Sequence, residues 1–83
     1  MPVISRFYGL TVRMYFLASE HQPPHIHVVY GDDSAEISIG DGSLLAGKLP
    51  AKAMQLILEW LELHREELME IWDTQIFNPI DPL

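Results

Sequence analysis

The sequence predicts an α+β fold, a small antiparallel sheet of three to five strands covered on one face by one long C-terminal helix. Three observations predict it. Apolar and polar residues alternate in short runs through the first half of the chain. Turn-forming residues, most of them near glycines, separate those runs. From Pro50 to about Thr74 there is no Gly and no further Pro, and good helix formers dominate.

Val3 to Tyr8 is β-prone, and Gly9 after it marks a tight turn. Leu10 to Leu17 then alternates. Val12, Met14 and Phe16 take one face; Thr11, Arg13, Tyr15 and Leu17 take the other. Ala18 to Pro24 reads as a loop. Its Pro23-Pro24 pair cannot donate to a ladder and stiffens the chain into an extended form. His25 to Tyr30 is the next strand, with Ile26, Val28 and Tyr30 on one face and His25, His27 and Val29 on the opposite one. Gly31-Asp32-Asp33-Ser34 is a turn. In Ala35 to Ile39, the residues Ala35, Ile37 and Ile39 point inward, and Glu36 and Ser38 outward. Gly40-Asp41-Gly42 turns the chain once more, and Leu44 to Leu49 adds a short edge segment.

Pro50 suits the first turn of a helix, where its missing N–H costs nothing. A helix of about 24 residues is about 36 Å long. Ala53, Ile57, Trp60, His64, Leu68 and Ile71 fall along one stripe. Leu56 and Leu63 flank it on one side, and Met54, Leu61 and Trp72 on the other. Glu59, Glu62, Glu66, Glu70 and Asp73 lie opposite. Within the stripe, His64 with Glu67 one turn on reads as a hydrogen-bonded core histidine rather than an acid/base couple. Residues 1–75 form the domain, and 76–83 an extended tail.

The apolar arc is wide, and it is longer than a typical strand of about 17–20 Å. Its leftover surface, with Leu58, Met69 and Trp72, points to a homodimer through the C-terminal helix; the alternative is a tail that folds back over it.

The 83 residues make one domain, and so small a core gives thin stability. There is no cysteine, so neither a disulfide nor a thiolate ligand can help. A net charge of -7 lacks the basic footprint of a nucleic-acid binder, although a local patch near Arg6 and Arg13 is compatible with it. No apolar run spans a membrane and no signal peptide is evident, so a cytoplasmic location is expected.

The densest chemical feature is His21-Gln22-Pro23-Pro24-His25-Ile26-His27. His25 and His27 are two apart on a strand and project side by side. Strand parity gathers Arg13, Tyr15, His25, His27, Glu36 and Ser38 on the sheet face away from the helix. Three chemistries compete. A divalent metal such as zinc would be held by His25 and His27 with His21 or Glu36. Alternatively, a histidine acts as general base while Arg13 steadies a phosphate, with Tyr15 beside it, which is ribonuclease-like chemistry without metal. In the third, the histidines are structural, stacking on the prolines and closing the loop. Met1-Pro2 suggests an N-terminal proline base, but such enzymes use parallel β-α-β units, and the early chain here reads as a hairpin.

Arg6-Phe7-Tyr8-Gly9, Pro23-Pro24-His25-Ile26-His27-Val28-Val29-Tyr30-Gly31, Gly47-Lys48-Leu49-Pro50, Leu58-Glu59-Trp60 and Leu63-His64-Arg65-Glu66-Glu67-Leu68 carry a resemblance. Together they resemble the small prokaryotic domain-of-unknown-function family 4160, from Met1 to about Trp72. That family has no settled activity. Its genes often lie beside those of another small family, in the manner of a toxin–antitoxin pair. The resemblance therefore implies a toxin-like component of a two-gene module, with a protein partner encoded next door; His25 and His27 would be its working residues, acting on RNA or binding a metal. The hairpins followed by a helix also loosely resemble small double-stranded-RNA-binding-like toxins, against which the acidic charge argues. The rivals are a non-enzymatic protein-binding dimer and an autonomous metal-binding domain.

Overall fold

The computed structural model describes residues 2–15 and 23–83. Among these residues the chain forms strands β1 (Val3–Phe7), β2 (Leu10–Arg13), β3 (His25–Tyr30), β4 (Asp33–Ser38) and β5 (Leu44–Gly47), then helix α1 (Ala51–Thr74). The strands pair in chain order as an antiparallel meander.

Two hairpins turn on two residues each. Tyr8 and Gly9 both have positive φ, the pattern of a type I′ turn, so β1 stops at Phe7 rather than running on to Tyr8. At Gly31-Asp32 only the glycine has positive φ, which fits a type II′ turn. That shorter turn frees Asp33 and Ser34 to pair with Tyr30 and Val29, so β4 begins earlier than the alternation alone suggests. β2 is shorter than expected and ends at Arg13, which leaves Tyr15 just beyond it. Phe16, Leu17 and most of the 18–24 loop lie outside the described residues.

The inward face is continuous. Val12, Ile26, Val28, Ile37 and Ile39 are fully buried, and they share one cluster with Ala53, Ile57, Trp60, Leu61, Leu68 and Ile71 of the helix. The predicted stripe is therefore the buried one, except that the His64 side chain is partly exposed; Leu63, which flanks the stripe, stands exposed. His64 also leaves helical geometry, with φ -119° and ψ 18°, so α1 breaks in its second half. Side-chain bonds flank the break. His64 Nδ1 is 2.6 Å from Glu67 Oε1, and Arg65 Nε donates to the Ile39 carbonyl at 2.8 Å.

Pro50 lies just outside α1 as its N-terminal flanking residue, one position earlier than expected. Gln75 ends the helix in the left-handed conformation and donates its backbone N–H to Ile71. The residues beyond it return to the sheet. The Ile80 N–H donates to the Ile4 carbonyl of edge strand β1 at 2.8 Å, and Trp60 Nε1 donates to the Asp81 carbonyl at 2.8 Å. Ile80 is buried there. Of the residues expected to leave apolar surface, Trp72 is buried and Met69 partly so, while Leu58 remains exposed.

The opposite edge, β5, is exposed along its length. It joins β4 through a turn that Asp41 organises. The Asp41 carboxyl is held below its ordinary range, first because the Ser43 backbone N–H donates to it and then because the Ser43 and Ser38 hydroxyls do. A lowered carboxyl contributes while ionised, so this turn loses support only as pH falls below the ordinary carboxylate range.

Gly47 closes β5. Its φ is +75°, and a Cβ there would overlap the Ser34 carbonyl oxygen, the same oxygen that accepts the Lys48 N–H at 2.9 Å. Neither backbone can retreat without breaking the β4–β5 ladder. Gly47→Ala is expected to destabilise the protein by about 3 kcal/mol. Chemical denaturation monitored by circular dichroism checks this, and a midpoint within error of the parent would refute it.

Candidate functional site

The site begins with the alternation of β3. Ile26 and Val28 are fully buried beneath the helix, so His27 and Val29 stand on the other face. Register then builds a row across the sheet. Arg13 on β2 is opposite His27, and His27 is opposite Glu36 on β4, whose other neighbour is Ala46 on β5. His25 lies opposite Ser38. Five of the predicted residues therefore share the face away from the main core. Tyr15 joins them through its ring, which meets His27 edge-on at 4.3 Å between centroids. His21 lies outside the described residues.

The face is not wholly open, contrary to expectation. His25 is only 4 % exposed. Its ring lies 5.3 Å from that of Trp72 and 5.1 Å from that of His27. The helix is longer than the strands are, and past its break at His64 it brings Trp72 against the start of β3. The tryptophan is thus a neighbour of the site, not a residue across the sheet from it. Its place in the apolar arc signalled burial, but not the partner. Ser38 is also less available than expected: it is buried, and its hydroxyl serves Asp41.

The prolines before β3 set the chemistry of His25. Pro24 offers its carbonyl to the Ile39 N–H at 2.9 Å and so extends the β3–β4 pairing without needing a donor. The Pro23 carbonyl lies 2.8 Å from His25 Nδ1. A carbonyl oxygen only accepts, so Nδ1 carries the proton and donates it. The other ring nitrogen, Nε2, lies 3.4 Å from Glu36 Oε1. With Nδ1–H donated to Pro23, two electron-rich atoms face each other at that distance, a pairing that a proton or a metal ion between them would relieve.

The metal alternative fits the spacing. Two ligands each about 2.05 Å from a tetrahedral zinc ion sit about 3.3 Å apart, close to the separation of His25 and Glu36. One ligand atom from each of His25, His27 and Glu36 lies within 4.8 Å of the others. Among the described residues this is the group of at least three side chains with metal-ligand spacing. The Nδ1 bond to Pro23 is the kind of supporting contact that orients a ligating histidine. Beside the ligands a shallow groove runs along the sheet, lined by Tyr15, His27, Ser34, Glu36, Ala46 and Gly47 among others.

The family model described as "Domain of unknown function (DUF4160)" matches residues 9–73. The chain belongs to this family. Every described residue of the candidate site, from Arg13 to Ser38, and Trp72 with them, falls inside the matched span. No curated protein and no solved structure matches the chain. No helix among the described residues of this DUF4160 member is long and apolar enough to cross a membrane.

The tautomer of His25 is open to direct measurement. Long-range nitrogen–proton spectra are expected to find Nδ1 protonated at neutral pH. A ring with bare Nδ1 and protonated Nε2 would contradict the bond to Pro23.

Proposed function

We propose that this DUF4160 chain binds a divalent transition-metal ion, zinc being the best fit, through His25, His27 and Glu36. The observation that supports it most is the meeting of His25 Nε2 and Glu36 Oε1 at 3.4 Å, with the proton of His25 committed to Pro23 on the other side of the ring. Two imidazoles and a carboxylate are ordinary zinc donors. Three protein ligands leave a fourth position for water or a substrate, where a bound ion acts as a Lewis acid. The ion would also stabilise the fold, because it bridges β3 and β4 in the native state and has no such site in the unfolded chain.

The toxin-like reading, with RNA cleaved by His25 and His27 and no metal, draws its support from Arg13 in the same row. It asks more of the geometry. A general base must reach the proton it removes. His25 is packed under Trp72, and one of its nitrogens is engaged with Pro23. The net charge of -7 also opposes a polyanionic substrate.

Zinc titration by calorimetry, with elemental analysis of the dialysed protein, tests the metal reading. Wild-type protein is expected to retain a single zinc ion per chain and to melt at a higher temperature when loaded. His27→Ala and Glu36→Ala each remove a partly exposed ligand without opening the core. Each is expected to weaken zinc binding by roughly 100-fold or more, since even supporting contacts to a ligand are worth up to that much. Wild-type protein that takes up no zinc, or variants that bind it equally well, would exclude the site. RNA cleavage by the metal-free protein that His27→Ala abolishes would favour the toxin-like reading instead.

A further inference from the structure

We infer that the site takes a small phosphate ester, its phosphate held between the metal ion and Arg13; this rests on the metal reading above. Arg13 is the cross-strand partner of His27, one strand away from a metal ligand. Its Nε is buried, and among the described residues it has no hydrogen-bond partner. Nor does any carboxylate among the described residues lie within ion-pair distance of its guanidinium. A buried charged donor left unmade is costly, so an acceptor from beyond the described residues is expected.

Charge decides what that acceptor is. The ligand set contains one carboxylate and two imidazoles. One carboxylate does not neutralise a divalent ion, and Arg13 adds a further positive charge in the same row. The loaded site is therefore a cationic spot on an acidic chain. It calls for an anion that can ligate a metal and also accept from a guanidinium. Phosphate does both, and its oxygens match the arginine fork better than a point-charge ammonium does.

Size follows from the surroundings. The groove beside His27 and Glu36, with Tyr15 and Ser34 in its lining, gives room for the group esterified to the phosphate. A nucleic-acid strand is disfavoured, because each further phosphate meets the field of a chain carrying -7. A ligand with a single phosphate group avoids that repulsion.

Cobalt-loaded protein provides the test, since its visible spectrum reports what occupies the open position. Inorganic phosphate and phenyl phosphate are titrated in turn, with acetate as the carboxylate control. Both phosphates are expected to saturate the spectral change, phenyl phosphate at the lower concentration, and acetate to bind more weakly. Arg13→Gln is expected to weaken phosphate at least tenfold while metal content stays the same. Arg13→Lys, which keeps the charge and loses the fork, is expected to fall between. Metal bound in full with phosphate affinity unaltered in Arg13→Gln overturns this inference alone. Acetate as tight as phosphate, or an RNA oligonucleotide tighter than phenyl phosphate, overturns it as well. Wild-type protein that takes up no metal defeats the underlying reading and this one with it.

Discussion

The burial of Ile26 and Val28 is the constraint from which the rest of the structure follows. Both are fully buried between sheet and helix. A shift of β3 by one residue would turn them to solvent and bury His27 in their place. Burying a branched aliphatic side chain is worth about 1.5–3 kcal/mol, so two of them hold the register firmly. Once β3 is fixed, β2 and β4 are fixed against it, and Arg13, His27 and Glu36 fall into one row. The helix thus positions the histidines indirectly, by claiming the residues between and after them.

A second layer of order comes from the two prolines. Neither can donate, yet both carbonyls are used. One extends the ladder to Ile39, and the other fixes the proton of His25. A rigid pair of residues at this point removes conformations that would let the His25 ring turn. Trp72 completes the restraint from the helix side. His25 is held by its backbone neighbour, by the tilted indole of Trp72 and by the strand itself, and the ring of His27 lies against both His25 and Tyr15.

Much of this was legible in the sequence, and the limits have physical causes. Strand alternation, glycines at the turns and the uninterrupted run after Pro50 are local signals. They place the five strands, the helix and the row of site residues. What they miss is tertiary. The type II′ turn at Gly31-Asp32 tightens a hairpin that composition alone leaves four residues long. The break at His64 lies inside a stretch with no Gly or Pro, the usual markers of a kink. Helical spacing puts Trp72 at the edge of the apolar arc and does not announce its contact with His25. The docking of Ile80 on β1 depends on an edge strand whose free carbonyl no sequence pattern announces.

The acidity of the chain becomes intelligible at this point. Read alone, a charge of -7 argues against any role with phosphates. Read with the site, it acts on two kinds of ion in opposite ways. The general field draws divalent cations toward the protein and repels polyanions. The local field, once a cation is seated beside Arg13, reverses sign over a few ångströms. An anion small enough to sit within that spot gains from the metal and the guanidinium, while a longer one extends into the surrounding negative surface. Many of the exposed carboxylates lie on the helix, whose outer face carries Glu59, Glu62, Glu66 and Glu70. On the proposed reading, selection by size would need no wall around the site. It follows from a short-range positive centre set in a long-range negative background, which salt screens over roughly 10 Å.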